Sequence, residues 1–201
     1  MKIIVIGATG TIGGKVVEAL KASRHEVVAA ARSSGIKVNL DVQASIHATF
    51  DQIRELDAVV CCAGQAAFKP FAQLTHADYE LGLRSKLMGQ VSLARVAIEH
   101  LRDGGSITLT TGTVAMHPIP GSASLSMVNA GLEGFVRAAA LEMPRHLRIN
   151  AVSPPWVRET LVKLGMDPSP GLAAADVAQA YVAAVEGSHQ GKALDPRGWA
   201  K

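Results

Sequence analysis

Short apolar runs alternate along this chain with longer segments in which apolar residues recur every three or four positions. The runs predict β-strands at Lys2–Ile6, Glu26–Ala31, Lys37–Leu40, Ala58–Cys62, Ser106–Thr110 and Arg148–Val152. The periodic segments predict helices at Ile12–Ala22, Gln43–Ile53, Ala77–Leu101, Ser122–Met143, Arg158–Gly165 and Ala173–Glu186. Strands and helices therefore follow each other in turn, and this succession favours parallel strands joined by right-handed crossovers.

The length and composition of the chain suit a single domain. Its 201 residues are enough for one sizeable core, and no linker or internal repeat divides them. Aromatic residues make up only 4% of the chain, so the core must consist mainly of Ala, Val, Ile and Leu. Such residues suit small helix faces packed on β-branched strands. The expected fold class is α/β, a doubly wound parallel sheet with helices on both faces, in one domain over residues 1–201.

Charge, hydropathy and cysteine usage exclude several classes of partner. The 20 basic and 17 acidic residues leave a net charge of +3, and the basic residues form no run that would bind nucleic acid. The opening MKIIVIG is too short for a signal sequence, and no apolar run reaches the ~20 residues of a membrane span. Adjacent Cys61 and Cys62 match neither a disulfide framework nor a metal site. We therefore expect a cytoplasmic protein with no metal, nucleic acid or membrane partner.

The segment VIGATGTIGGKV links the first predicted strand to the first predicted helix. Gly7 allows the chain to turn off the strand, Gly10 lets backbone N–H groups approach a pyrophosphate, and Gly13 lets the helix pack closely. The helix N-terminus adds N–H donors and a favourable dipole. A tight turn without a ligand is the alternative. The predicted dinucleotide contacts in this segment are Gly7, Thr9, Gly10, Thr11, Ile12 and Gly13.

The end of the second predicted strand indicates which nicotinamide cofactor is bound. An NAD site usually has an acidic residue there, whereas this chain reads VVAAARSS. The Arg32 guanidinium can bind a 2′-phosphate with two hydrogen bonds, and Ser33 or Ser34 can add a hydroxyl donor. Alternatively, Arg32 is an ordinary solvated loop residue. The pattern favours NADP(H).

Five segments occur in an order typical of one known family. They are the glycine turn, DAVVCCAG, GSITLTTG, GLEGFVRAAALEM and RINAVSPPWV. Together they resemble the short-chain dehydrogenase/reductase family over nearly the whole chain. The resemblance implies a Rossmann-like fold, a bound nicotinamide cofactor, a small-molecule substrate, and a homo-dimer or homo-tetramer built on the two long central helices.

The resemblance also implies further cofactor contacts. Asp41 and Val42 fall where the family contacts adenine, and Cys62–Gly64 fall at the turn beside the adenine ribose, with Cys62 replacing an asparagine. The segment SPPWVRET matches the loop that holds the nicotinamide amide, although Pro155 replaces a glycine. The contacts expected from these three stretches are Asp41, Val42, Cys62, Ala63, Gly64, Pro154, Val157 and Thr160.

The catalytic positions depart from the family's pattern. The family's serine position falls on Thr111, which keeps a hydroxyl, whereas its tyrosine position falls on Leu125 and its lysine position on Asn129. Lys86 falls where the family has an asparagine, as if lysine and asparagine had exchanged places. The two tyrosines of the chain, Tyr79 and Tyr181, lie in other helical segments.

This exchange leaves two interpretations of Lys86 open. Lys86 brings an ammonium group near the substrate oxygen or the ribose, with Asn129 as its hydrogen-bond partner; or it is an ordinary exposed lysine. A proton donor is still required, and the candidates are Lys86, the Thr111 hydroxyl acting through water, and His117 in MHPIPG. The expected catalytic set is Lys86, Thr111 and Asn129.

Three functions remain open at this stage. The first is an oxidoreductase that transfers a hydride between NADP(H) and a carbonyl or alcohol substrate at an atypical site. The second is a catalytically silent NADP(H)-binding sensor or scaffold, because leucine can neither donate a proton nor stabilise an alkoxide. The third is a structural partner without a working cofactor site, which the intact glycine turn and Arg32 disfavour.

Overall fold

The computed structural model of the protein describes residues Met1–Trp199. Seven strands are present at Lys2–Ile6 (β1), Glu26–Ala31 (β2), Ile36–Lys37 (β3), Leu56–Cys61 (β4), Leu101–Thr110 (β5), Arg148–Val152 (β6) and Ala193–Leu194 (β7). The α-helices are Thr11–Ala22 (α1), Gln43–Asp51 (α2), His76–Gly82 (α3), Gly89–His100 (α4), Ala123–Ala139 (α5), Arg158–Lys163 (α6) and Ala174–Glu186 (α7). A π-helical segment, Leu83–Met88, joins α3 to α4.

All neighbouring strands of the sheet pair in parallel, in the order β3-β2-β1-β4-β5-β6-β7. The strand order reverses between β1 and β4, because the chain runs outward from β1 in both directions. In an open parallel sheet the loops separate at such a point and leave a crevice beyond the carboxyl ends of the strands. The predicted α/β class with a Rossmann-like, doubly wound sheet in one domain is confirmed.

The sheet is buried on both faces, since successive side chains of its central strands enter two different cores. Ile4 and Ile6 of β1 join the core beneath α2, α4 and α5, which also contains Phe50, Leu93 and Leu132. Ile3 and Val5 face the opposite way, toward Val16 and Leu20 of α1 and Tyr181 of α7. The continuous apolar sequence of β1 follows from this two-sided burial.

The long helix predicted at Ala77–Leu101 is wrong in detail. The structure divides it into α3, the π-helical segment and α4, and Leu101 already begins β5. Two glycines flank the irregular turn at close contacts: a Cβ on Gly89 would lie 2.9 Å from the Leu40 Cβ, and one on Gly82 would lie 3.1 Å from Val128. Apolar periodicity does not reveal the extra residue that a π-turn accommodates.

The third strand is also shorter than its apolar pattern predicts. The Lys37–Leu40 prediction is replaced by a two-residue strand at Ile36–Lys37, which pairs with the end of β2 at the sheet edge. The chain then turns toward α2, where the Ser45 hydroxyl accepts from the Asn39 N–H. At the other sheet edge, β7 was not predicted, and two residues are too short to give a periodic signal. Among Met1–Trp199, no helix is long and apolar enough to cross a membrane.

Candidate functional site

The glycine turn after β1 is packed too closely for larger residues. Gly7 has a φ of +83°, and a Cβ added there would lie 3.0 Å from Ala63. A Cβ on Gly13 would lie 2.1 Å from the Gly7 carbonyl oxygen, so α1 starts directly against the turn. Gly10 caps α1 without a side-chain hydrogen bond, and the first turn of the helix carries no acidic residue. The positive end of α1 is therefore well suited to a phosphate group.

A cavity of about 250 Å³ lies over this turn. Arg32 and Ser33 form its exposed rim, and the Asp41 side chain contributes to its wall. The Asp41 Oδ1 is buried without a hydrogen-bond partner, and such an acceptor is suited to an N–H donor from a bound ligand. The lining consists of Ile6, Gly7, Thr9, Gly10, Ala31, Arg32, Ser33, Val38, Asn39, Leu40, Asp41, Cys62, Ala63, Gly64, Gln65 and Ser85. We call it the turn cavity.

A second cavity, of about 370 Å³, continues from the first along the carboxyl edge of the sheet. The two share Cys62, Ala63 and Gly64 as a common wall. Its other lining residues are Ile12, Lys86, Thr110, Thr111, Gly112, Thr113, Val114, His117, Ile119, Leu125, Asn129, Pro154, Pro155, Trp156, Val157, Thr160 and Pro170. We call it the lysine cavity. Together the two form one crevice at the point where the strand order reverses.

Most of the predicted site residues line this crevice. The four residues predicted at the family's catalytic positions, Lys86, Thr111, Leu125 and Asn129, meet at the lysine cavity, as does the exposed His117. The exceptions among the predicted cofactor contacts are Thr11, Gly13 and Val42. Gly13 supports the turn from beneath. Val42 is exposed at the start of α2. The Thr11 hydroxyl accepts a hydrogen bond from the Lys163 Nζ at 2.6 Å.

Lys86 lies in the π-helical segment, and its side chain is only 7% exposed. Its Nζ donates to the Thr110 carbonyl oxygen at 3.2 Å, while the Gln90 side chain donates to the same oxygen at 2.9 Å. Gly64 permits this placement, because a Cβ there would lie 3.0 Å from the Lys86 Cα. Burial lowers the pKa of Lys86 to about 8, so it is readily interconverted between ammonium and amine near neutral pH.

Two expectations about Lys86 are wrong. It is not an ordinary exposed lysine, since the irregular helical turn directs it inward. Asn129 is also not its hydrogen-bond partner, because the Lys86 Nζ bonds to the Thr110 backbone. The Asn129 side chain is 1% exposed, and its Oδ1 has no hydrogen-bond partner.

A buried carboxylate behind the lysine cavity was missed from the sequence. Glu133 of α5 is 4% exposed, and its Oε1 accepts from the Thr111 hydroxyl at 3.0 Å and from the Ser153 hydroxyl at 3.2 Å. It therefore links α5 to the ends of β5 and β6. A signal was available, since Glu133 follows Asn129 by four residues and lies on the same helix face.

The two cysteines behave as apolar residues, Cys61 in the core and Cys62 in the wall of the crevice. Burial raises the pKa of Cys61 to about 12, so its thiol is not a thiolate at neutral pH. Cys62 is partly exposed and contacts both cavities. Among the described residues, no group of three or more His, Cys, Asp or Glu side chains is placed to hold a metal ion.

The match to known proteins agrees with this architecture. A family model described as enoyl-(acyl carrier protein) reductase matches residues 6–188. The chain belongs to the short-chain dehydrogenase/reductase family. A curated relative of this oxidoreductase family, hydroxynaphthalene reductase arp2 of Aspergillus fumigatus, is 28% identical over 148 residues, covering 73% of this chain and 54% of that protein. The chain spans about half the length of the curated relatives it matches.

Two solved structures match this chain over almost their full length. The protein lin1944 from Listeria innocua is 39% identical with a TM-score of 0.90, and the alignment covers 97% of this chain and 98% of that one. A small-chain dehydrogenase solved in complex with NADPH is 24% identical with a TM-score of 0.85, covering 97% and 95% of the two chains. At that identity the second match supports the shared fold alone.

Proposed function

We propose that the chain is an oxidoreductase that transfers a hydride between NADP(H) and a carbonyl or alcohol substrate, with Lys86 acting where relatives use a tyrosine. The observation that carries this proposal is the buried Lys86 side chain in the wall of a crevice continuous with the glycine turn. Cofactor and substrate would then meet beside one titratable group.

The residues around the turn cavity fit the adenine half of a dinucleotide. The uncapped start of α1 would hold the pyrophosphate, and the unpaired Asp41 Oδ1 would accept from an exocyclic amine. Arg32 and Ser33 at the exposed rim would bind a 2′-phosphate. The further contacts proposed for the cofactor are Thr9, Cys62, Ala63, Gly64, Pro154, Val157 and Thr160. When bound, the cofactor supplies or accepts the hydride.

The side chains of the lysine cavity would transfer the proton to or from the substrate oxygen. A lysine with a pKa of about 8 can give a proton to a developing alkoxide or take one from an alcohol near neutral pH. Its ammonium form also stabilises negative charge that develops beside the buried Lys86 side chain. Leu125, Trp156 and Ile119 give that site apolar walls, so the proposed substrate is a compact, largely apolar carbonyl or alcohol compound.

A second candidate function, an NADP(H)-binding sensor or scaffold without turnover, rests on Leu125. The resemblance assigns Leu125 to the family's tyrosine position, and Leu125 lies in the wall of the lysine cavity. In a sensor, cofactor would bind at the same crevice and no carbonyl compound would be reduced. The two candidates therefore share every cofactor contact and differ only in what Lys86 does.

Titration with the nicotinamide cofactors, followed by a turnover assay, distinguishes the enzyme from the sensor. NADPH and NADH are added in turn to the purified protein while Trp156 fluorescence is followed, and calorimetry checks the result. Tight NADPH binding followed by NADPH consumption with members of a carbonyl panel supports the enzyme. Tight binding without consumption across the panel supports the sensor. If neither cofactor binds, both are wrong and the crevice serves another ligand.

We also propose a homo-dimer or homo-tetramer assembled on the central helices. Met88 and Met127 are exposed on neighbouring helical elements, and the small Ala130 beside Met127 is exposed as well. A partner helix could approach such a surface closely. Light scattering of the purified protein tests the assembly, and a monomer at micromolar concentration would contradict it.

A further inference from the structure

Glu133 determines which hydrogen-bonding role Thr111 can take in the lysine cavity. Both protein partners of the Thr111 hydroxyl are oxygens that accept: the Glu133 carboxylate at 3.0 Å and the Val152 carbonyl at 3.4 Å. A threonine hydroxyl has one hydrogen, and that hydrogen points away from the cavity. Because the Ser153 hydroxyl converges on the same Glu133 oxygen, Oε1 acts as an acceptor for both groups.

The buried polar wall of the lysine cavity consequently offers a fixed acceptor at Thr111. Thr111 presents only lone pairs to a ligand, whereas the Asn129 side chain, whose Oδ1 is buried without a partner, also carries the Nδ2 donor group. The hydroxyl of Thr110, a further buried wall residue, donates to the Cys61 carbonyl. The Lys86 ammonium, from the π-helical segment, and the Asn129 Nδ2 group, from α5, are donors of this wall.

We propose that Glu133 is a positioning residue that makes this site selective for hydroxyl compounds over the matching ketones. The proposal rests on the proposed function, since it concerns the substrate of that site. A hydroxyl group donates to Thr111 and accepts from Lys86 or Asn129, whereas a ketone oxygen can only accept from these donors and leaves Thr111 without a ligand partner. That unpaired acceptor lowers the ketone affinity by about 5- to 150-fold (~1–3 kcal/mol).

The burial of the Glu133 carboxylate against the hydroxyls of Thr111 and Ser153 also requires a physical explanation. Among the described residues, no lysine, arginine or histidine forms a salt bridge with Glu133. Burying an ionised group without a counter-ion is costly, and an apolar residue would pack at that position at lower cost. Fixing the direction of the Thr111 hydrogen bond gives the carboxylate a role at the site.

The first test locates the hydrogen directly. Neutron diffraction from crystals of the deuterated protein is expected to place the Thr111 deuteron between Oγ1 and the Glu133 Oε1. A deuteron pointing into the lysine cavity would overturn the proposal. This measurement needs no ligand, so its outcome does not depend on whether the proposed function is correct.

The second test measures binding rather than turnover. Calorimetry measures the binding of secondary alcohols to the NADPH-loaded protein and of the matching ketones to the NADP⁺-loaded protein. The compounds are linear and cyclic, with cyclohexanol and cyclohexanone as one pair. The expected result is an alcohol affinity about 5- to 150-fold higher than that of the ketone. A ketone preference, or no alcohol binding by the loaded protein, would overturn the proposal. Failure of the cofactor to load would instead contradict the proposed function.

Variants separate selectivity from folding. Thr111→Ser keeps the hydroxyl and should keep the alcohol preference, while Thr111→Val keeps the shape and should lose it about tenfold. Glu133→Gln replaces an acceptor by a group that also donates, which frees the Thr111 hydrogen and should shift the ratio toward ketone. An unchanged ratio in both Thr111→Val and Glu133→Gln would show that Glu133 is merely structural.

Discussion

The two halves of the crevice are built in different ways. The turn cavity is shaped mainly by backbone: the positive φ of Gly7, the close approach of Gly13 and the uncapped start of α1. The chemistry of the lysine cavity depends on side chains that come from the π-helical segment, β5 and α5. Backbone shape is conferred by glycines at fixed spacing, whereas side-chain chemistry changes with each substitution. A cavity shaped by backbone therefore tolerates changes in the side chains that line the neighbouring cavity.

The sharpest way to separate the halves is Lys86→Met. General acid–base catalysis contributes typically ~10²–10⁴-fold, so kcat with an active carbonyl compound should fall by about that factor. NADPH affinity should change little, because the turn cavity is intact. Stopped-flow turnover and NADPH titration measure the two effects, and Lys192→Met, on an exposed lysine outside the crevice, is the matched control. Full turnover in Lys86→Met would remove Lys86 from the mechanism.

The reciprocal perturbation is Gly13→Ala. Its Cβ would lie 2.1 Å from the Gly7 carbonyl oxygen, so α1 must move away from the turn. We expect a loss of ~1–3 kcal/mol in the free energy of unfolding and a similar loss in NADPH binding energy. Gly14→Ala is the control, since the nearest atom to its Cβ would be the Ala8 carbonyl oxygen at 3.7 Å. Equal unfolding free energies and equal NADPH affinities in the two variants would contradict the close packing of Gly13 against Gly7.

Arg32→Ala should affect only the choice between cofactors. A hydrogen bond to a charged group contributes ~1.5–3 kcal/mol, so the NADPH affinity should fall about 10- to 100-fold while that for NADH stays constant. Lys37→Ala removes a nearby exposed cation and should leave both affinities unchanged. Calorimetric titration of both cofactors against the three proteins decides whether Arg32 binds the 2′-phosphate.

The smallest expected effect concerns stability and pH. Burial lowers the pKa of Lys86 from 10.5 to about 8, so the unfolded chain binds a proton that the folded chain releases between these values. The free energy of unfolding should therefore rise with pH across this window, by about 1 kcal/mol between pH 7 and pH 9. Chemical denaturation at both pH values should show this increment in the wild type and not in Lys86→Met.

The sequence predicts the backbone-built half of the site better than the side-chain half. Strand–helix alternation and glycine spacing were sufficient for the sheet and the crevice, and most residues predicted as cofactor contacts line that crevice. Burial of Lys86 could not be predicted, because it depends on a π-turn that interrupts an apparently regular helix. The hydrogen bonds of Thr111 to Glu133 were missed because they link residues 22 apart in sequence, in different elements.

The wall formed by Cys62, Ala63 and Gly64 also has a consequence for inhibitor design. Because this three-residue wall borders both cavities, a fragment seated in one lies next to a fragment seated in the other. A short linker across it would make the second binding event intramolecular, with an effective concentration in the millimolar range for short flexible linkers. Two weak fragments, one for each cavity, could thus be joined into one high-affinity ligand. Selectivity among family members would come from the fragment that contacts Lys86 and Asn129.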